Sequence, residues 1–172
     1  MRRVKIKKQE CSQLLMAGLL LVLVLISLRS FLILHTVWAA GAASLASTIY
    51  IIFTYPKTQP AQPKNIIWCY LLAFAIGAGL HAIANAVLQS SGEQLHPIIR
   101  IYMHDFVGAV SIILLLVASV WFAIPHAPAA GMALVLTFDV NSVELATILL
   151  AWVFILAGCK HLLRRRLVNL WD

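Results

Sequence analysis

The sequence is poor in charge: 11% of its 172 residues are Asp, Glu, Lys or Arg, whereas 62% are hydrophobic. Soluble domains average about 25% charged and about 45–50% apolar residues. The mean hydropathy of +0.94 is that of a chain surrounded by lipid. Each membrane span takes about 20 residues, which leaves no room for a separate soluble domain. The composition excludes soluble and secreted proteins and predicts an all-α, polytopic transmembrane helical bundle.

Cysteine is scarce as well. Cys11, Cys69 and Cys159 lie in unrelated contexts without paired spacing, which excludes a disulfide framework and a zinc site of the usual pattern. No set of His with Cys or carboxylates has metal-ligand spacing, and no Ser-His or Cys-His arrangement can be placed from the sequence. We therefore expect no metal, no cofactor, no catalytic residues and no enzymatic activity.

The N-terminus resembles a secretory signal in part, because a basic segment, residues 1–10, precedes an apolar run. Val37-Trp38-Ala39 faintly resembles a cleavage site. The apolar sequence continues past Arg29 almost unbroken to Thr54, however, which is too long for a signal and about the length of two spans. We therefore reject a signal peptide and predict a basic cytoplasmic tail.

Loops rich in proline or polar residues divide the remaining chain into hydrophobic segments, and Arg29-Ser30 is predicted to be a tight turn. Ten apolar residues, Ala129 to Phe138, give about 15 Å of helix, which is half a membrane. We predict four or five full spans plus a short half-helix after the His-Ala-Pro segment. The predicted spans are 11–28, 31–54, 65–88, 98–124 and 143–160, and the predicted half-helix is 128–138.

The Lys and Arg residues predict the orientation, because the cytoplasmic flanks of membrane spans are enriched in them. Of thirteen, all but Arg29 and Arg100 fall in the tail, in the Pro-rich loop 55–64 or at the C-terminus. Both termini are therefore predicted to be cytoplasmic, in the inner membrane if the source is prokaryotic. An even number of crossings follows, so residues 125–138 must carry the chain outward, partly as irregular backbone. The basic ends suit anionic lipid headgroups, and we expect no nucleic-acid binding.

Small residues crowd the second and third spans. Ala73/Gly77 and Ala75/Gly79 repeat at four-residue spacing, which lets helix backbones approach closely in lipid. For any single pair, helix packing is a simpler explanation than a binding site.

Two ionisable residues within the predicted spans, Asp105 and His81, are candidates for proton or ion coupling, since such groups are costly in lipid unless paired or hydrated. Asp105 could equally lie near the outer interface and pair with Arg100. His81 could simply satisfy a backbone carbonyl, which is the interpretation we favour.

The segment Pro125-His126-Ala127-Pro128 is the most informative part of the chain. Proline moves the residue before it out of the helical region, so His126-Ala127 is predicted to be extended, and Pro128 suits the first turn of a new helix. A helix that begins at membrane depth offers N–H groups and a positive dipole end to a small anion. An ordinary interfacial turn with a proline cap explains the pattern equally well.

Three blocks of sequence resemble, in order, the HPP family of integral membrane proteins. They are 41–48 with 52–56 (GAASLAST, IFTYP), 61–67 (AQPKNII) and 126–134 (HAPAAGMAL). Two motifs depart from the family: His-Pro-Pro reads His126-Ala127-Pro128, and Gly-Gly-His reads Trp68-Cys69-Tyr70. The family is described as four-spanning, and its plant and cyanobacterial members are associated with nitrite transport. The resemblance implies a transporter of a small inorganic anion.

The combined hypothesis is a transporter of a small inorganic anion such as nitrite, in the lipid bilayer, as a homodimer because so few helices can hardly enclose a pathway alone. The half-helix N-terminus holds the anion, His126 couples a proton near the imidazole pKa of about 6.5, and hydroxyls of the second span donate. The alternative is a non-transporting membrane protein that assembles with or regulates a partner. The predicted substrate-binding residues are His126, Pro128, Gly131, Gly41, Ser44, Ser47 and Thr48.

Overall fold

The hydrophobic segments form helices in a computed structural model, which describes residues 8–31, 37–90, 97–138 and 142–170. The all-α fold class is confirmed: the described residues form α-helices and one short 3₁₀ turn, Gln59–Ala61. The helices are α1 (Lys8–Phe31), α2 (Val37–Thr54), α3 (Pro63–Ser90), α4 (Pro97–Trp121), α5 (Ala129–Phe138) and α6 (Ser142–Leu163).

The predicted turn at Arg29-Ser30 is wrong, because α1 continues through both residues to Phe31. Neither residue breaks a helix, since both keep their backbone N–H group and a right-handed helical conformation costs them little. Residues 32–36, between α1 and α2, lie outside the described part of the chain.

The fourth helix ends at Trp121 and not at Ile124 as predicted, because a Schellman motif closes it. The N–H of Ile124 donates to the carbonyl of Ser119 at 3.0 Å, and the N–H of Ala123 donates to that of Val120 at 3.2 Å. These two bonds satisfy carbonyls that the helix end leaves unpaired. They require a left-handed conformation at Ala123, whose φ is 51°.

The outer surface of the bundle is apolar, and many polar side chains of the bundle point inward, as expected of a protein surrounded by lipid. On α4, Val120 and Trp121 are 80% and 82% exposed, whereas Ser111 is fully buried. Three stretches of the described chain are long and apolar enough to cross a membrane, and two apolar stretches are shorter. The three are Gln9–Leu28, Pro63–Ser90 and Ala146–Leu163, and the shorter two are Ala39–Thr54 and Asp105–Trp121.

One end of the bundle, which we call the loop end, gathers the Pro-rich loop, the start of α1 and the end of α6. The side-chain amide of Gln13 in α1 donates to the carbonyl of Phe53 in α2 and to that of Val168, the latter at 2.9 Å. The N–H of Leu170 donates to Thr54 at 3.0 Å. The described parts of the segments predicted to be cytoplasmic therefore lie together on one side of the bundle.

The half-helix α5 occupies the centre of the bundle, packed against α2, α3, α4 and α6. It begins on the loop-end side of the bundle and runs inward, and the carbonyl of Thr137 near its C-terminus is 3.2 Å from Nδ1 of His81 in α3. Residues 122–128 before it are not helical. Irregular backbone at membrane depth is tolerated where protein receives it, and here the surrounding helices do so.

Glycine allows α5 to approach α3 closely. A Cβ atom added to Gly77 would lie 2.8 Å from the carbonyl oxygen of Ala133 and 2.9 Å from Cβ of Leu136. A side chain at Gly77 would therefore push the two helices apart. The other predicted small pair on α3, Ala75 and Gly79, is exposed on the outside of the bundle.

Candidate functional site

A buried group of four side chains, which we call the polar cluster, lies where α2, α3 and the start of α5 meet. It consists of Ser44 and Thr48 from α2, Tyr70 from α3 and His126 from the segment before α5, each at most 4% exposed. Thr48 lies six residues before the end of α2 and Tyr70 seven residues after the start of α3. At 1.5 Å per residue, the cluster is about 10 Å inside the loop end.

The phenol of Tyr70 is at the centre of the polar cluster. Its hydroxyl is 2.8 Å from Oγ of Ser44 and 2.8 Å from Oγ1 of Thr48. The Ser44 hydroxyl donates to the carbonyl of Pro128 at 2.6 Å, which fixes the start of α5 against α2. Oγ1 of Thr48 is 3.0 Å from Nε2 of His126. Three hydroxyls and one imidazole thus form a continuous hydrogen-bonded group.

The neighbours of His126 define its tautomer. Nδ1 lies 2.9 Å from the carbonyl of Pro60, which can only accept, so Nδ1 carries the proton and donates. Nε2 then accepts from the hydroxyl of Thr48. A hydroxyl has one proton, so Thr48 can instead donate to the carbonyl of Ser44, 3.1 Å away, when Nε2 is protonated. The cluster can therefore accept a proton by rotation of one hydroxyl.

The N-terminus of α5 uses its own donors in the described structure. The N–H groups of Ala129, Ala130 and Gly131 donate to the carbonyls three residues before them, at 3.0 to 3.2 Å. Gly131 lies against Ser44, since a Cβ added to Gly131 would be 3.0 Å from Cβ of that serine. Among the described residues, no buried side-chain polar atom is left without a partner. The N–H groups predicted to hold an anion thus already donate to backbone carbonyls of the same segment, in a closed arrangement.

The structure brings together five of the seven predicted substrate-binding residues, namely His126, Pro128, Gly131, Ser44 and Thr48. The other two lie elsewhere on α2. Gly41 packs against α6, where an added Cβ would be 3.2 Å from Cδ2 of Leu149, and Ser47 is exposed on the outside of the helix.

The two candidates for ion coupling do not join the polar cluster. His81 connects α3 to the last turn of α5, because its Nδ1 donates to the Thr137 carbonyl and its Nε2 accepts from the side-chain amide of Asn85 at 2.9 Å. His81 thus forms a hydrogen bond to a backbone carbonyl, which is the interpretation favoured above. Asp105 is exposed on α4.

Sequence reasoning did not find Tyr70, Pro60 or Cys69. Pro60 supplies the carbonyl that orients His126, and Sγ of Cys69 donates to the carbonyl of His126 at 3.4 Å. The one signal for Tyr70 was its position, since it stands where the related motif has its histidine. Among the described residues, no group of three His, Cys, Asp or Glu side chains could hold a metal ion.

The apolar exterior, the central half-helix and the buried polar cluster define a polytopic α-helical membrane protein with a polar site inside the bundle. The model of the HPP transmembrane region matches residues 4–168. The chain therefore belongs to the HPP family, which confirms the resemblance seen in the sequence. No curated protein and no solved structure matches it.

Proposed function

We propose that the protein transports a small inorganic anion such as nitrite across the membrane. The observation that supports this proposal is the polar cluster: three hydroxyls and an imidazole lie about 10 Å inside an otherwise apolar bundle, at the N-terminus of a helix that begins there. Hydroxyl and N–H donors beside a positive helix end suit a small anion. A neutral substrate would not need this arrangement.

In this proposal the described structure is the closed state. An anion that reaches the cluster accepts hydrogen bonds from the hydroxyls of Thr48 and Ser44, and the Thr48 hydroxyl turns away from Nε2 of His126. The bond from Ser44 to Pro128 also breaks, which frees the first turn of α5. Each bond lost within the cluster is replaced by one to a charged group, and such bonds are about twice as strong as neutral ones.

We further propose that the loop end faces the cytoplasm, in the inner membrane if the source is prokaryotic, and that the protein is a homodimer. The proposed dimer contact is a stripe of small exposed residues on α3 that includes Ala75 and Gly79 and continues through Ala82 and Ala86. Such spacing lets two helices approach closely in lipid.

Flux into liposomes by the purified protein tests the transport proposal. We expect saturable, concentration-dependent uptake of nitrite, compared with nitrate, formate and chloride as competing anions. Ser44→Ala and Gly131→Leu are expected to abolish flux, since the first removes a donor and the second displaces α5 from α2. Ser47→Ala, an exposed serine one turn along the same helix, is the matched control. Absence of flux above empty liposomes for all four anions contradicts the proposal.

The exposed stripe on α3 also favours a second candidate function, in which the protein does not transport but assembles with or regulates a membrane partner. The two functions predict different effects of Gly79→Leu. If the protein acts through a partner, this variant is inactive in cells while Ser44→Ala is active. If it is a transporter, Ser44→Ala is inactive in liposomes where no partner is present.

A further inference from the structure

A second feature of the loop end lies outside the polar cluster. Lys160, in the last turn of α6, is only 5% exposed, although its neighbours His161 and Arg164 are exposed. Its ammonium donates to the carbonyl of Pro56 at 2.5 Å. Its position in the sequence groups it with the basic C-terminal flank, but the fold turns it inward.

The positive charge of Lys160 has no negative partner within the described chain. Neither Glu10 nor Asp105, the two acidic residues whose side chains are described, forms an ion pair with it. A carbonyl oxygen accepts from one of its three N–H donors and carries no full charge. Removal of a cation from water costs several kcal/mol unless an anion or further hydrogen bonds compensate. A buried, singly bonded ammonium is therefore suited to receive an anion.

The Pro-rich loop connects this ammonium to the polar cluster. The ammonium of Lys160 donates to the carbonyl of Pro56, and the imidazole of His126 donates to the carbonyl of Pro60. Two buried side chains therefore bind the same short loop from inside the bundle. Between them, Thr58 closes the loop on itself through its N–H and hydroxyl, both to the carbonyl of Tyr55. The loop thus covers the end of the bundle next to the cluster.

We propose that Lys160 is an anion-binding residue, at which a small inorganic anion takes the place of the Pro56 carbonyl before it reaches the polar cluster. The inference rests on the proposed transport function and adds to it a residue of opposite charge to the substrate. Displacement of Pro56 releases one of the hydrogen bonds that hold the loop, which also include those from Lys57 to Asn169 and from Gln59 to Ala123. Another of these bonds, at the Pro60 carbonyl, is donated by the His126 side chain, which also faces Thr48.

The test compares Lys160→Met, which keeps the length and removes the charge, with Lys160→Arg, which keeps the charge. Arg164→Gln is the matched control, an exposed basic residue on the same end of the bundle. Two quantities are measured: the nitrite-dependent rise in melting temperature in detergent, and the KM for nitrite flux in liposomes. Melting without anion reports whether each variant is folded.

We expect Lys160→Met to raise the apparent Kd and KM for nitrite by about tenfold to a hundredfold, the loss typical of one charged hydrogen bond. Lys160→Arg and Arg164→Gln should stay within about threefold of the unmodified protein. Without anion, Lys160→Met should melt no lower than the unmodified protein, because an apolar side chain replaces a buried charge.

Unchanged Kd and KM in Lys160→Met overturn the inference and leave the transport proposal standing. A lower melting temperature without anion, with nitrite affinity unchanged, shows that Lys160 only anchors the loop and also overturns the inference. Absence of nitrite binding and flux in the unmodified protein contradicts the transport proposal itself. These outcomes are therefore distinguishable.

Discussion

The imidazole of His126 lies against the phenol of Tyr70, with ring centroids 5.5 Å apart and the ring planes at 49°. The hydroxyl of Thr48 bridges their polar ends, at 2.8 Å from the phenol oxygen and 3.0 Å from Nε2. The two rings come from segments on either side of α4, so their contact depends on the whole bundle. It fixes the short segment before α5 between α2 and α3.

Removal of the phenol oxygen should weaken this contact. In Tyr70→Phe the ring remains, but the hydroxyls of Ser44 and Thr48 lose a buried partner, which costs about 1–3 kcal/mol in the free energy of unfolding. Thermal unfolding in detergent measures the loss. Tyr50→Phe, at an exposed position on α2, should unfold like the unmodified protein. Equal stability of the two variants would show that the phenol hydroxyl is not part of a stabilising group.

The close approach of α3 and α5 should not tolerate one methyl group at Gly77. Gly77→Ala places a carbon 2.8 Å from a backbone oxygen that cannot move without α5, so we expect a loss of about 1–3 kcal/mol. Gly158→Ala on α6, where nothing lies within 4 Å, is the control and should not destabilise the protein, with a gain of up to about 1 kcal/mol from helix propensity. If Gly77→Ala melts like Gly158→Ala, the two helices are farther apart than described.

The end of α4 offers a stabilising substitution. Ala123 has a φ of 51°, which glycine adopts without strain, so Ala123→Gly should raise the free energy of unfolding by about 1 kcal/mol. The opposite sign is expected for Ala151→Gly, at an exposed position within α6, where glycine costs about 1 kcal/mol. A loss of stability in Ala123→Gly would show that the left-handed turn is not present.

The proposed orientation can be tested by thiol labelling of intact cells. Cysteines at Gln59 and Arg165, both exposed at the loop end, should be shielded from a membrane-impermeant reagent in a background without Cys11, Cys69 and Cys159. A cysteine at Ser90, at the opposite end of α3, should react. Labelling of a cysteine at position 59 or 165 from outside the cell would show that the loop end faces outward and that the proposed orientation is wrong.

The sequence alone determined the class of the protein and the positions of its helices. Hydrophobicity, proline and charge act on residues close in the chain, so most helices, the Pro-rich loop and the short helix after Pro128 could be predicted from local patterns. The helix that continues past Arg29 and the cap at Ala123 show the limit of such patterns. Both depend on free-energy differences of a few tenths to about 1 kcal/mol between alternative helix ends. The average hydrophobicity of a segment does not resolve differences of this size.

Only the tertiary structure decided which of the polar residues meet. Ser44 and Tyr70 are 26 residues apart in the chain, and Thr48 and His126 are 78 apart. Such contacts depend on which face each helix turns to its neighbours, and close packing against glycine and buried hydrogen bonds fix that choice. The same packing leaves Ser47 exposed and places Tyr70 at the centre of the cluster. It also buries the ammonium of Lys160 against the carbonyl of Pro56, although the sequence groups this residue with the basic C-terminal flank.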